Sequence, residues 1–237
     1  MSGLPIESQL EANNYDGTDT DWFDAVFAPS WNKQHTVTFQ GGNNQGNFFT
    51  SINYVDNDGI VKGDKDVYKR LSAQINADYN VKEWLQVGTN NSIENWSTKS
   101  VSQMSQYGSL MNSVITLDPL TPVYYSSPDE FARTMRSAYD QGKNILKDPE
   151  NDLYYATSKY ITDDSGNPLL QRDRVDSQNK GITLRGVLYG NFKPVKGLVI
   201  TSRFGYRVAQ NNSHSFSTPY YATPQAKTED YNISAAA

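Results

Sequence analysis

The sequence contains no cysteine in its 237 residues. That absence excludes a disulfide framework, a cysteine-ligated metal and a cysteine nucleophile. Long hydrophobic runs are absent as well, because no stretch approaches the ~20 apolar residues that a membrane-spanning helix needs. The first residues, Met1–Leu10, lack the apolar core of a signal peptide, so any export signal is expected upstream of this segment. Basic runs are missing too, and with a net charge of -5 no nucleic-acid-binding surface is expected.

Hydrophobic residues make up only 37% of the chain and charged residues 20%, so uncharged polar side chains fill much of the remainder. The mean hydropathy of -0.68 would suit a disordered chain. Disordered segments are poor in aromatic residues, however, and this chain contains 16 tyrosines. Two classes of protein combine polar and aromatic residues in this way. One is a carbohydrate-binding β domain, and the other is a transmembrane β-barrel with a polar interior and an apolar lipid-facing stripe.

Six segments alternate apolar and polar residues with a period of two, which indicates β-strands. In the clearest of them, Arg70–Val81, every second residue from Leu71 onward is apolar and the residues between are polar. A helix would scatter the same residues around its whole circumference. The predicted strands are Thr36–Gln40, Phe48–Asp56, Arg70–Val81, Leu85–Ile93, Ile182–Phe192 and Leu198–Val208.

The connections between these strands differ in length in a regular way. In an up-and-down sheet successive connections alternate between the two ends, which places every short turn at one end and every long connection at the other. Outer-membrane barrels have this asymmetry, with short periplasmic turns and long extracellular loops. The short turns are Gly41–Asn47, Lys82–Glu83 and Lys193–Gly197; the long connections are Asn57–Val67, residues 98–181 and the segment after Ala209.

The sequence therefore predicts an all-β fold, made of about six antiparallel up-and-down strands of a partial transmembrane β-barrel, with one long extracellular loop that contains a short helix. Within this loop, Ser127 is the expected N-cap of the helix and Glu130 its third residue. Residues 163–168 (DDSGNP) are expected to form a turn. The side chains expected along one side of the helix are Phe131, Met135 and Tyr139.

Three aromatic residues, Tyr79, Trp84 and Phe192, lie beside the short turns. This position fits the aromatic girdle that outer-membrane barrels carry at the membrane interface. The alternative is that they are ordinary core residues near a hairpin.

Three short patterns are similar to reactive sites, and each has a simpler interpretation. Asp19, Asp21 and Asp24 could hold a metal or act as an acid–base pair, but carboxylates of this kind also cap helices in a solvated linker. The Asp56–Gly59 segment matches only part of a calcium loop and also suits a polar hairpin turn. Gly41–Gly46 is similar to a phosphate loop but is followed by strand residues, which favours a turn.

The histidines and strand arginines are open to similar alternatives. His35 and His214, the only histidines, lack matching carboxylate motifs, so surface or lumen positions are favoured over a zinc site. Four arginines face the polar side of their strands, where they either line a substrate path or pair with carboxylates across the lumen. They are Arg70, Arg185, Arg203 and Arg207.

Seven short motifs follow one another in a fixed order: Thr20–Asp24 (TDWFD), Gln34–Gly42, Phe48–Tyr54, Asn57–Lys62 (NDGIVK), Tyr68–Leu71, Trp84–Gly88 (WLQVG) and Lys196–Tyr206. Their order and spacing resemble the start of the barrel in the SusC/RagA family of TonB-dependent outer-membrane receptors. The resemblance covers most of the chain and is weakest between residues 97 and 181.

The resemblance implies that residues 1–35 link a plug to the barrel, that residues 36–237 belong to a barrel of roughly 22 strands, and that 98–181 is an extracellular loop. The parent protein would be several times longer, with a plug and a TonB box before Met1 and further strands after Ala237. Its location would be the outer membrane of a Gram-negative cell, in contact with outer-membrane lipid. Its partners would be a SusD-like surface lipoprotein and the TonB complex, the latter through the missing N-terminal region.

On this interpretation the chain is part of an importer of oligosaccharides, or of peptides in some members, with no cofactor and no enzymatic reaction. The alternative is a soluble extracellular β-sandwich that stacks tyrosine and tryptophan on sugars. That class predicts strands of about five residues and turns of mixed length at both ends.

Overall fold

Alternating strand residues build one large antiparallel sheet in the computed structural model, which describes residues 6–101, 109–161 and 166–218. The strands are β1 (Asn32–Gly42), β2 (Gly46–Asn57), β3 (Tyr68–Lys82), β4 (Leu85–Lys99), β5 (Tyr124–Tyr125), β6 (Tyr154–Tyr155), β7 (Val175–Val195) and β8 (Leu198–Ser217). The helices are α1 (Ile6–Ala12), α2 (Trp22–Val26), α3 (Leu110–Thr116), α4 (Arg133–Asp140) and α5 (Pro168–Asp173). None of the described helices is long and apolar enough to cross a membrane.

The large sheet has the strand order β1-β2-β3-β4-β7-β8, and every neighbouring pair is antiparallel. The predicted all-β, up-and-down arrangement of six strands is therefore confirmed. The short strands β5 and β6 pair only with each other, inside the long connection. All six long strands run further than the alternation alone indicates, and β7 and β8 reach 21 and 20 residues.

The strand register sorts side chains into an apolar face and a polar face, because directly opposed residues on neighbouring strands point to the same side. One row of the apolar face, read from β1 to β8, is Val37, Ile52, Ala73, Ile93, Leu184 and Val208. The adjacent row of the polar face is Thr36, Asn53, Ser72, Glu94, Thr183 and Ala209.

Short turns close one end of the sheet, as predicted. In the β1–β2 turn the side chain of Asn43 accepts hydrogen bonds from the backbone N–H groups of Gln45 and Gly46, at 2.8 and 3.0 Å. This Asx turn confirms that the chain turns within Gly41–Gly46, although the turn itself is shorter, since β1 runs to Gly42 and β2 begins at Gly46. In the β7–β8 turn Gly197 adopts a φ of +88°, which an L side chain rarely tolerates.

The long connections fold together at the opposite end into a structure that we call the cap, which comprises residues 13–31, 58–67, 109–161 and 166–174. Its anchor is Trp22, which is 4% exposed and donates from Nε1 to the carbonyl of Asp118 at 3.0 Å. A β-bridge between Phe27 and Val61 ties the first two segments together. The described core of the cap around Trp22 contains Val26, Val61, Leu110, Val114, Leu117, Tyr155, Leu169 and Leu170.

Asn167 joins three parts of the cap through its buried side chain, which is 1% exposed. Its oxygen accepts from the backbone N–H groups of Leu169 and Leu170 at 3.0 and 3.4 Å, which caps α5. Its nitrogen donates to the carbonyls of Val123 and Ala156 at 2.9 and 3.2 Å. A single amide therefore fixes the start of α5 against the β5 and β6 strands.

The helix expected after Ser127 begins later than predicted. Pro128–Glu130 forms only a 3₁₀ turn, Ser127 makes no side-chain cap, and α4 starts at Arg133. The reason lies in Phe131, whose ψ of 143° breaks the helix and directs its ring edge-on against Tyr154, with centroids 4.9 Å apart. Glu130 instead accepts from the backbone N–H of Ser126 at 3.0 Å.

The predicted apolar side of this helix does form. Phe131 and Met135 are buried, and the ring of Tyr139 meets Phe131 edge-on at 5.7 Å. Half of the turn expected at 163–168 lies outside the described residues, and Pro168 opens α5.

Two tyrosines of the cap pack against carboxylates, Tyr155 fully buried and Tyr124 half-buried. Burial raises the pKa of Tyr155, and the charge of Asp173, which accepts its hydroxyl at 2.8 Å, raises that pKa further. Burial likewise raises the pKa of Tyr124, whose hydroxyl donates to Asp148. Both hydroxyls therefore stay protonated in the folded cap at a pH where a free tyrosine ionises.

We predict that Asn167→Ala opens the cap, because the backbone N–H groups of Leu169 and Leu170 and the carbonyl of Ala156 lose their side-chain partner in a buried setting. The carbonyl of Val123 loses one of its two donors and keeps the N–H of Ala156. The expected loss is about 3 kcal/mol in the free energy of cap opening. Native-state proteolysis of the cap measures this value. Gln141→Ala, which removes an exposed amide at the end of α4, is the matched control and should leave the cleavage rate nearly unchanged. Equal cleavage rates for the two variants would contradict the assignment.

A second prediction concerns alkaline pH. Since the folded-state pKa values of Tyr124 and Tyr155 lie above the unfolded value, their contribution to stability is complete below about pH 10 and is lost as the pH rises above it. The same proteolysis assay, repeated between about pH 9 and pH 12, should show this loss. Tyr155→Phe should flatten the pH dependence relative to the unsubstituted chain; indistinguishable slopes for the two proteins would refute the linkage.

Candidate functional site

A chain of hydrogen bonds crosses the polar face near the short-turn end. Thr201 donates to the Asn191 side chain at 2.8 Å, and Asn191 donates to Gln86 at 2.9 Å. Gln86 and Asn47 both donate to Asp78, at 3.4 and 3.3 Å. This network links side chains of five strands, namely β8, β7, β4, β3 and β2. Within it the Asp78 carboxylate accepts hydrogen bonds from two side-chain amides.

Above this network the polar face carries two adjoining concavities, of about 490 and 560 Å³, that share Asn76 and Asn90. We call them together the polar groove. Either volume lies within the usual range of ligand sites. The polar-face side chains that line the groove are Gln40, Asn47, Phe49, Gln74, Asn76, Asp78, Asn90, Ser92, Arg185, Val187, Tyr189 and Arg207, with Gly205 in its floor.

Tyr189 lies in the groove because Gly88 gives it room. A Cβ on Gly88 would come within 2.2 Å of Cζ of Tyr189, so the ring crosses the strand where a side chain is missing. The pair was missed in the sequence, since Gly88 and Tyr189 are opposed only in the β4–β7 register. A glycine facing a tyrosine is a usable signal only once that register is known.

The four polar-face arginines have different partners. Arg70 forms a salt bridge with Glu94, with a nitrogen–oxygen distance of 3.8 Å. Arg185, Arg203 and Arg207 form no ion pair within the described part of the chain. Arg185 and Arg207 line the polar groove and lie directly opposite each other.

Two of the carboxylates considered as reactive sites have structural partners. Asp21 caps α2 by accepting from the backbone N–H of Asp24 at 2.9 Å, in agreement with the capping interpretation. Asp56 forms a 3.8 Å salt bridge with Lys69 across the β2–β3 pair.

The two histidines are not brought together by the fold. His35 lies in β1 and His214 in β8, at opposite edges of the sheet. In the residues that the structure describes, no group of three His, Asp or Glu side chains could hold a metal ion.

The apolar face is exposed across all six strands, as the fractional exposures of Phe39 (58%), Ile75 (49%) and Phe204 (66%) illustrate. Globular proteins rarely expose apolar patches larger than a few hundred square ångströms unless these bind a partner or a membrane. The face has its own depression of about 1060 Å³, lined by apolar-face residues such as Phe48, Leu188 and Phe204. None of the described residues supplies a second sheet to cover it.

The three aromatic residues beside the short turns do not belong to a buried core. Tyr79, Trp84 and Phe192 are 49%, 47% and 41% exposed. The rings of Trp84 and Phe192 meet edge-on, with centroids 5.5 Å apart.

Comparison with known proteins gives structural relatives only. No family model matches the chain, and no curated protein matches it. A solved structure of the RagAB peptide transporter matches with a TM-score of 0.55 and 21% identity, over 87% of this chain and 21% of the transporter chain. The RagAB peptide importer in its "closed-closed" state matches with a TM-score of 0.59 and 18% identity, over 92% of this chain and 24% of that chain.

The chain shares the fold of part of each of these two solved chains. It spans less than a quarter of the length of either relative. At these identities the likeness establishes the shared fold alone.

The contact between Gly88 and Tyr189 can be tested directly. Gly88→Ala should displace the tyrosine ring and cost about 1–3 kcal/mol in the free energy of unfolding. Gly190→Ala is the matched control, because the nearest atom to its added Cβ is 4.0 Å away. In a Tyr189→Ala background the Gly88→Ala cost should disappear, as measured by denaturant unfolding; an unchanged cost would show that the ring is not the obstacle.

Proposed function

We propose that this chain is part of a TonB-dependent outer-membrane importer of the SusC/RagA type. Its sheet would form part of a barrel wall, with the apolar face against lipid and the polar face towards the transport path. The short turns would then lie in the periplasm and the cap on the cell surface. The supporting observations are the shared fold with two RagAB structures and the motifs that resemble this family.

The apolar face is the main observation that supports this proposal. It combines six strands, an unbroken apolar row and exposures near one half, with backbone groups paired from strand to strand. A membrane requires this combination, because a spanning strand must satisfy its hydrogen bonds within the sheet while its outward side chains meet hydrocarbon. The exposed aromatic residues at the short-turn end fit the interfacial girdle of such a wall.

The polar groove supports the transport half of the proposal. Its lining is mostly amides and hydroxyls, together with Phe49 and Tyr189, which suits a ligand that passes without reacting. We propose that the imported ligand is an oligosaccharide or a peptide. The structural relatives are transporters and not enzymes, and one is titled a peptide transporter.

The cap is the proposed docking region for a SusD-like surface lipoprotein. We further propose that residues 1–35 connect to a plug, and that TonB acts through a region preceding this chain. The described cap does pack residues 20–27 against the long connection, through a 2.7 Å hydrogen bond from the Thr20 hydroxyl to the carbonyl of Thr121.

The absence of cysteine allows a direct test of the two faces. Single cysteines are introduced at the adjacent positions Gln74 and Ile75 in β3, and Ser92 and Ile93 in β4. With the full chain in lipid bilayers, a water-soluble maleimide should label Gln74→Cys and Ser92→Cys and spare Ile75→Cys and Ile93→Cys. Equal labelling of all four positions would refute the proposed membrane wall.

The same variants without lipid distinguish the alternative class. A soluble carbohydrate-binding β-sandwich would remain monomeric in buffer and would still protect Ile75→Cys and Ile93→Cys, because a second sheet would cover them. A membrane wall should instead aggregate or require detergent.

A further inference from the structure

Three arginines of β7 and β8 form an uncompensated cationic group on the polar face. We call Arg185, Arg203 and Arg207 the arginine cluster. Arg185 is directly opposite Arg207 in the strand register, and Arg203 lies four residues earlier on the same face of β8. Like charges opposite each other on neighbouring strands destabilise a sheet. The fold accepts this repulsion with no carboxylate in ion-pair contact among the described residues.

The rest of the polar face shows that this arrangement is a local exception. Arg70 has Glu94 as its partner at 3.8 Å. The carboxylate of Asp78 accepts hydrogen bonds from the side-chain amides of Asn47 and Gln86. These other charges all have a side-chain partner, and a local departure from that rule is expected where a protein binds a ligand.

The chemistry of the cluster points to an oxyanion. All three residues are arginines, whose planar guanidinium groups offer paired donors that match a carboxylate in a two-pronged contact. The concavity of about 490 Å³ between Arg185, Arg207 and Val187 leaves room for such a group, because Gly205 contributes no side chain.

The adjoining groove indicates what carries the oxyanion. Gln74, Asn76 and Asn90 line the groove with side-chain amides, each of which carries both donors and acceptors. Gln74 donates to Asn76 at 3.3 Å, which leaves a second N–H on Gln74 and the amide N–H groups of Asn76 for a ligand. A peptide backbone presents the same pair of N–H and C=O groups at every residue. Val187 and Phe49 add apolar surface for small side chains.

We infer that the arginine cluster binds the C-terminal carboxylate of a short peptide lying in the polar groove. The inference rests on the proposed transport function and specifies the ligand of the same surface. It assigns the carboxylate to Arg185 and Arg207, with Arg203 adding attraction from the far side of the Val187–Gly205 pair.

The test is calorimetric titration of the full chain in detergent with N-acetyl-tetraalanine as the free acid and as the C-terminal amide. The acid should bind about tenfold or more tightly than the amide at low salt, and the difference should shrink as salt is added. Equal affinities, or no binding by either peptide, would overturn the inference.

Variants locate the site. Arg207→Gln and Arg185→Gln should abolish the preference for the acid, whereas Arg207→Lys should keep part of it, because charge remains without the two-pronged geometry. Arg70→Gln, which alters the arginine already paired with Glu94, is the matched control and should keep the full preference. If Arg70→Gln lowers the preference as much as Arg207→Gln, the effect is general electrostatics and the site is wrong.

Two further comparisons separate the sources of failure. If trigalacturonate binds more tightly than trigalactose through Arg207 while the peptides show no preference, the peptide assignment is overturned in favour of an acidic sugar.

The cysteine labelling pattern is recorded on the same preparation. Alternating labelling with equal acid and amide binding rejects only the carboxylate site, whereas uniform labelling with acid-selective binding rejects only the membrane wall.

Discussion

Strand register is the constraint on which the rest of this structure depends. A slip of one residue between two strands would move every side chain of one strand to the other face. Here the register keeps Val37, Ile93 and Val208 on one side across the whole width of the sheet. Apolar exposure is tolerable only if it is collected on one face, and the amide network is possible only if polar side chains meet on the other.

The register between β4 and β7 costs the most conformational entropy to establish, because the long loop between these strands must be closed before they pair. The cap reduces this problem by folding the connection on itself. Asn167 fixes α5 next to the start of β7, and Trp22 ties the chain before β1 to the same core. The cap thus positions the two halves of the sheet as well as covering one end.

Local sequence patterns predicted what depends on neighbours along the chain. Alternation identified all six strands and both faces, and the Gly/Asn turn of Asn43 followed from turn chemistry. The same reasoning failed at Phe131, where a tertiary contact with Tyr154 outweighed a local capping signal and delayed α4. The contact of Tyr189 over Gly88 and the opposition of Arg185 and Arg207 were also out of reach, since each requires a register between strands.

The polar face also shows how a sheet can remain hydrophilic without becoming highly charged. Amides satisfy one another at short range, as in the chain from Thr201 to Asn191 and Gln86, and they carry no net charge that must be balanced in a confined, poorly screened space. A charge placed on such a surface requires its own partner, as Arg70 has in Glu94. The clustering of Arg185, Arg203 and Arg207 therefore has an electrostatic cost that amides at the same positions would avoid. A compensating anion that is absent from the described chain accounts for that cost more directly than any contact within the sheet.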